Sequence, residues 1–132
     1  MESASKVEDF WMGTFGYVTY NSQDNMIVAS FRGSTTIINW INNINFFKSN
    51  YKGLSKKIQV HTGFLESYMS VADQVVERVS ALVKKYPSAS ILFTGHSLGG
   101  AMATFAAMDV KEKLGLSNFM MLYTFGSPRT GN

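Results

Sequence analysis

Residues 95–100 read Gly-His-Ser-Leu-Gly-Gly and separate a short apolar run, 90–94, from an alanine- and methionine-rich run, 101–114. The first run has the composition of a buried strand and the second that of a helix. A sharp strand-to-helix turn has room for a side chain only at its apex, so flanking glycines let the backbone come close. The segment therefore predicts a nucleophile elbow with Ser97 at its apex.

The apolar pattern before this turn predicts two strands and a long helix. Residues 14–20 and 26–31 are rich in β-branched and aromatic side chains, and the polar segment 21–25 between them reads as a turn. The longest stripe of apolar residues at helical spacing runs from Thr62 to Tyr86. It predicts one continuous helix, which Pro87 ends.

The remaining elements complete an alternating pattern. Residues 46–51 and 58–61 predict short strands, the helix over 101–114 stops at Gly115, and residues 118–125 predict another buried strand. Helices that alternate with strands favour parallel pairing with helices packed on the sheet. The predicted fold class is α/β, a mostly parallel sheet flanked by helices in a single domain over 1–132.

Composition favours a folded protein and excludes several kinds of site. Apolar residues make up 45% of the 132 residues and charged residues 16%, which supports a packed core. The chain has no cysteine, so a disulfide framework, a thiolate metal site and a cysteine nucleophile are excluded. The sequence implies no metal and no organic cofactor.

Neither a transmembrane segment nor a signal peptide is predicted. No apolar stretch approaches the roughly 20 residues that a membrane span needs, and residues 1–11 lack a basic start and an apolar middle. With Met1 as the native start this favours the cytoplasm, whereas another start leaves secretion open. The net charge of +3 includes a lysine cluster in a stretch without acids: Lys48, Lys52, Lys56 and Lys57. The cluster is interpreted as a solvated loop, with an anionic lipid surface as the alternative partner and no motif for nucleic acid.

The elbow supplies part of the chemistry of acyl transfer. A serine hydroxyl attacks an ester only when a base takes its proton, and the oxyanion that forms needs hydrogen-bond donors. Ser97 is the predicted nucleophile, and the backbone N–H of Leu98 is one predicted donor. A second donor must come from a loop after another strand, and Ser34, which follows Arg32-Gly33, stands where one is needed.

Five segments together resemble the class 3 lipase family, the α/β-hydrolases related to the fungal triacylglycerol lipases. They are Phe-Arg-Gly-Ser at 31–34, Asn-Trp at 39–40, Val-His-Thr-Gly-Phe at 60–64, the Gly-His-Ser-Leu-Gly-Gly segment, and Thr-Phe-Gly-Ser-Pro-Arg-Thr-Gly-Asn at 124–132. They occur in the family's order and cover residues 26–132. The resemblance implies an α/β-hydrolase-type fold, incomplete at the C-terminal side, and a lipase or esterase activity.

The same resemblance assigns roles to residues. It makes Ser97 the nucleophile, and it makes Ser34 and Leu98 the oxyanion hole. It also implies a lid that controls substrate access: Thr35, Thr36, Ile37, Ile38, Asn39, Trp40, Ile41, Asn42, Asn43 and Ile44. One face of this segment is apolar at helical spacing, so it is interpreted as a lid that opens toward lipid, with an ordinary buried helix as the alternative.

The chain departs from the family in its catalytic base. The family completes a Ser, Asp, His triad with residues downstream of the Gly-Ser-Pro-Arg turn. After Ser97 this sequence contains one Asp, Asp109, and no His. His61 and His96 are interpreted as structural residues, and Arg32 as a structural residue in an ion pair.

Two functions remain open at this point. The first is a serine carboxylic-ester hydrolase acting on a lipid or small ester, with transient contact with a lipid surface. The alternative is a non-catalytic fragment or remnant that binds lipid or a partner. The motifs are equally compatible with triacylglycerol, phospholipid, galactolipid and soluble esters. An unfinished sheet edge at 118–125 predicts self-association.

Overall fold

A five-stranded mixed sheet is the centre of the protein. The structure, a computed structural model, describes residues 4–9, 13–33, 48–50 and 59–131, with side chains in 4–9, 13–33 and 63–131. Its strands are β1 Ser5–Asp9, β2 Thr14–Asn21, β3 Met26–Phe31, β4 Lys48–Asn50, β5 Gln59–His61, β6 Ser90–His96 and β7 Met120–Phe125. Its described helices are α1 Thr62–Met69, α2 Ala72–Lys85 and α3 Leu98–Leu114.

The sheet has the strand order β1-β2-β3-β6-β7. The pairs β1–β2 and β2–β3 are antiparallel, whereas β3–β6 and β6–β7 are parallel. Phe31 of β3 lies opposite Gly95 of β6, which lies opposite Thr124 of β7. The strands β4 and β5 form a separate antiparallel pair.

The core lies on the sheet face that the helices cover. Residues on this face of the inner strands alternate with partly exposed ones, as a half-covered sheet requires. The apolar stripe of α2 and almost the whole first half of α3 pack against it. The core members from β3 and β6 are Ile27, Ala29, Phe31, Ile91 and Phe93.

Several predicted elements are confirmed. The strands over 14–20 and 26–31 form the antiparallel pair β2–β3, and the apolar run before the elbow lies inside the parallel sheet as β6. Gly115 ends α3 in a left-handed conformation with φ of 56°. Of the short strands predicted over 46–51 and 58–61, β4 and β5 occupy three residues each.

The prediction of one continuous helix from Thr62 to Tyr86 is wrong, because this segment forms two separate helices, α1 and α2. At the break, the Ser70 hydroxyl donates to the Ser67 carbonyl at 2.7 Å and lies 3.0 Å from the hydroxyl of Thr14 on β2. Val71 leaves helical geometry with φ of −123° and ψ of 4°. A hydroxyl that bonds to local backbone and to a neighbouring strand competes with helix continuation.

The strand predicted as buried over 118–125 is an exposed edge strand. No described strand pairs with the outer side of β7, and its aromatic side chains Tyr123 and Phe125 are 60% and 62% exposed. No sequence pattern predicted β1, which is rich in charged residues and pairs with β2.

Candidate active site

Ser97 lies between β6 and α3 in a backbone conformation that non-glycine residues rarely adopt. Its φ is 54° and its ψ is −121°. It stands at the N-cap position of α3, yet its side chain forms no capping hydrogen bond. The strain is therefore not compensated by a capping role for the hydroxyl, and strained residues of this kind cluster at functional sites.

The glycines around Ser97 are required by close backbone approach. A Cβ on Gly95 would overlap the carbonyl of Gly99 and lie 2.8 Å from the amide nitrogen of Gly100. A Cβ on Gly99 would overlap the carbonyl of Phe31, at the end of β3. The first turn of α3 thus packs directly on the ends of β3 and β6, which forces the chain into a sharp turn at Ser97.

The loop after β3 lies against the same turn. A Cβ on Gly33 would stand 2.6 Å from the carbonyl oxygen of His96 and 3.5 Å from Cβ of Ser97. Gly33 and Ser97 are far apart in the sequence. The parallel pairing of β3 with β6 brings them together. The lack of a side chain on Gly33 therefore permits the close approach of this loop to the turn at Ser97.

The prediction that Arg32 forms an ion pair is wrong within the described part of the chain. Its guanidinium lies 5.1 Å from the centre of the Phe15 ring on β2, and its backbone N–H donates to the Phe15 carbonyl at 2.9 Å. Among the described residues no ion pair involves Arg32. A cation–π contact therefore fixes the base of the loop.

The turn stands at the carboxyl ends of the three parallel strands β3, β6 and β7. The N–H of Ser97 donates to the carbonyl of Phe125, the last residue of β7, at 2.9 Å. In open α/β sheets ligands bind at this end of the strands. Leu98 is the first residue of α3, so its N–H has no acceptor within the helix and lies at the positive end of the helix dipole.

The side chains of His96 and Asp109 are directed at groups other than the Ser97 hydroxyl. The His96 imidazole is directed at the turn after β7, with Nε2 3.4 Å from the position of a Cβ on Gly126. Asp109 is fully buried, accepts a 2.6 Å hydrogen bond from the Tyr68 hydroxyl and lies 3.4 Å from Nζ of Lys113. Asp109 belongs to the packing of α1 on α3, more than two helical turns from Ser97.

Part of the predicted site lies outside the described residues. The structure does not describe Ser34 or the predicted lid over residues 35–44. It also does not describe the side chain of His61. Within the described ranges, no three His, Asp or Glu side chains form a group that could hold a metal ion. None of the described helices has the length and apolar character needed to cross a membrane.

A sequence model of the family "Lipase (class 3)" matches residues 28–132, which include most of β3, all of β6 and β7, and the turn at Ser97. The chain belongs to the class 3 lipase family. Among curated relatives of this class 3 lipase chain, the lipase of Rhizomucor miehei is 41% identical over 122 residues. The secreted mono- and diacylglycerol lipase 1 of Fusarium solani is 42% identical over 121 residues.

Solved structures agree with the family and the fold. Lipase II from Rhizopus niveus superimposes with a TM-score of 0.90 at 35% identity, covering 97% of this chain and 49% of that one. A triacylglycerol lipase whose catalytic centre is formed by a serine protease triad gives a TM-score of 0.89 at 38% identity, covering 99% and 51%. The predicted α/β-hydrolase-type fold is thereby confirmed.

The class 3 lipase chain covers only part of its relatives. It matches over 90% of its own length to 33% of the Rhizomucor miehei lipase, and over 91% to 35% of the Fusarium solani enzyme. It spans about half of the two solved lipases above.

Proposed function

We propose that this chain carries the nucleophile half of a serine carboxylic-ester hydrolase that acts on lipid esters. The observation that carries the proposal is Ser97, held at φ of 54° between two obligatory glycines at the carboxyl ends of parallel strands. The names of the relatives, which include triacylglycerol and mono- and diacylglycerol lipases, support a lipid ester as substrate.

In the proposed reaction, the Ser97 hydroxyl attacks the ester carbonyl while a base takes its proton. The tetrahedral oxyanion accepts hydrogen bonds from the Leu98 N–H and from Ser34, whose neighbour Gly33 lies against Ser97. The intermediate expels the alcohol, which receives the proton, and leaves an acyl group on Ser97. Water, deprotonated by the same base, then releases the fatty acid and restores the serine. We propose that the base, a His oriented by an Asp as in the family's triad, is supplied from outside residues 1–132.

A chimaera tests this proposal. Residues 1–132 are joined to the part of the Rhizomucor miehei lipase that follows its matched segment, and hydrolysis of a lipid ester is measured. Turnover that depends on Ser97 supports the hydrolase. A folded chimaera that binds ester vesicles without turnover supports the alternative, a non-catalytic remnant.

The isolated chain is expected to be almost inactive. Among the described residues, Asp109 is buried beside Tyr68 and His96 is directed at Gly126, so neither is placed to take the Ser97 proton. Without a base, binding and oxyanion donors leave on the order of 1000- to 10,000-fold acceleration over water. Hydrolysis of a p-nitrophenyl ester by residues 1–132 should stay near background. Ser97-dependent turnover at ordinary enzyme rates would contradict the conclusion that neither Asp109 nor His96 takes the Ser97 proton.

We propose that residues 35–44 form the lid and make transient contact with a lipid surface. Replacing Trp40 and Ile41 by Ser in the chimaera should lower hydrolysis of emulsified long-chain esters about tenfold or more, because an apolar face drives binding to the interface. Hydrolysis of soluble short-chain esters should change little. Equal losses on both substrates would identify a structural helix instead.

We also propose association with another polypeptide through β7, because its outer side pairs with no strand among the described residues and its sequence contains no charged residue.

A further inference from the structure

Phe15 and Arg32 lie side by side on neighbouring strands, at the point where the chain leaves β3. Phe31, the last residue of β3, pairs with Gly16 on β2, so the next pair along the two strands is Arg32 with Phe15. Phe31 belongs to the core on the helix-covered face. Because successive side chains of a strand alternate between faces, Arg32 and Phe15 share the opposite face of the sheet.

Arg32 binds Phe15 with both its main chain and its side chain. The Arg32 N–H donates to the Phe15 carbonyl at 2.9 Å, which extends the β2–β3 ladder one residue beyond β3. The guanidinium carbon lies 5.1 Å from the centre of the Phe15 ring, within the range of about 6 Å for a cation–π contact. The ring is half-buried and the arginine is exposed, so the ring is the more firmly held partner.

The loop that follows Arg32 approaches the turn at Ser97 without a side chain to hold it there. A Cβ on Gly33 would stand 2.6 Å from the carbonyl oxygen of His96, so the glycine permits a close approach. The lack of a clash supplies no attraction, and a loop of this kind needs an anchor beside it. Phe15 supplies such an anchor through the residue immediately before Gly33.

We propose that Phe15 is a positioning residue for the oxyanion hole. Its ring holds Arg32, and Arg32 fixes the start of the loop that carries the proposed donor Ser34. The inference rests on the proposed function, in which Ser34 donates to the oxyanion. A donor is effective only at about 2.7 to 3.1 Å from the oxyanion, so a loop released from Phe15 stabilises the transition state less often.

A second cation near the same ring provides an internal control. Nζ of Lys6 on β1 lies 5.8 Å from the centre of the Phe15 ring, and it forms an ion pair with Glu8 at 3.2 Å. Lys6 is on a strand that pairs with β2 and not with β3, so it has no direct connection to the loop after Arg32. Removing Lys6 therefore changes the charge at the ring without releasing the loop.

Phe15→Leu in the chimaera tests the role in turnover, because leucine keeps an apolar side chain but has no aromatic face. We expect kcat for a lipid ester to fall about two- to fivefold, the factor that corresponds to an exposed cation–π contact. KM should stay unchanged, since the oxyanion forms only on the way to the transition state. Phe15→Tyr keeps the ring face and should retain the original kcat, as should Lys6→Met.

A double-mutant cycle tests whether Phe15 acts through Arg32. The Arg32→Met variant keeps an apolar stem and removes the guanidinium. If the ring acts only on this group, the chimaera with both Phe15→Leu and Arg32→Met should lose no more kcat than Arg32→Met alone. Losses that multiply would show two independent effects and would overturn the proposal.

Amide hydrogen exchange tests the anchor in residues 1–132 without depending on turnover. Exchange of the Arg32 N–H, which bonds to the Phe15 carbonyl, should be about two- to fivefold faster in Phe15→Leu. It should be unchanged in Phe15→Tyr and in Lys6→Met. The reference is the Ser90 N–H, which bonds to the Asn25 carbonyl at 3.1 Å at the other end of β3 and should keep its rate in every variant.

Several results would overturn the proposal. Unchanged Arg32 exchange in Phe15→Leu, or an equal rise at Ser90, would show that the ring does not anchor this loop. Faster Arg32 exchange with unchanged kcat in an active chimaera would exclude a role in the reaction, and so would an equal loss of kcat in Lys6→Met. A chimaera without any turnover counts against the proposed function itself, and the exchange rates then decide the anchor alone.

Discussion

The Ser97→Ala variant of the chimaera is expected to lose ester turnover by about a million-fold, since removing the serine of a triad costs about as much as removing the whole triad. Lipid binding and the folded structure should persist, because the side chain makes no capping hydrogen bond in α3. The measurement is kcat for a lipid ester, together with labelling by a serine-directed fluorophosphonate.

The control for this result is a surface serine away from the turn. Ser88 lies in the exposed turn before β6, where its hydroxyl contacts the Asn25 amide at 3.2 Å. The Ser88→Ala chimaera should keep both turnover and labelling. If Ser97→Ala still reacts with the probe and hydrolyses ester, the nucleophile is another residue.

Gly99→Ala is expected to destabilise the chain strongly. The new Cβ would overlap the carbonyl of Phe31, and neither backbone segment can move without disturbing the elbow. Overpacking typically costs 1 to 3 kcal/mol, and a backbone clash belongs at or above about 3 kcal/mol. That is a large fraction of the roughly 5 to 15 kcal/mol that hold a domain together.

Gly115→Ala is the matched control, because Gly115 flanks the opposite end of the same helix. A Cβ there meets nothing within 4 Å, so the cost is only that of a left-handed residue with φ of 56°, about 1 to 2 kcal/mol. Urea unfolding of the two variants gives both values. Equal unfolding midpoints would show that α3 does not press on the end of β3.

The sequence predicted those features whose cause is local. The sharp turn at Ser97 could be predicted because such a turn demands glycines at fixed spacing, and the end of α3 because Gly115 adopts a left-handed conformation. The hairpin β2–β3 follows from two β-branched runs around a polar turn. These signals need no knowledge of the rest of the fold.

Features that depend on contacts between residues far apart in the sequence were either not predicted or predicted wrongly. The break between α1 and α2 involves Ser70 and Thr14 on β2, and the strand β1 is held by β2 and by Gln74. The exposure of β7 depends on which strand lies beside it. At the candidate site, one short segment was enough to predict Ser97 and Leu98, but the close approach of Gly33 to the turn at Ser97 arises from the pairing of β3 with β6.

The hydrogen bond from the Ser97 N–H to the Phe125 carbonyl has a consequence for the timing of biosynthesis. A chain that leaves the ribosome from its N-terminus can pair β6 with β3 as soon as β6 emerges. The amide of Ser97 has to wait for its acceptor until the last residue of β7 has been translated. The strained serine therefore gains this hydrogen bond only after β3, β6 and α3, which surround it, have all been translated.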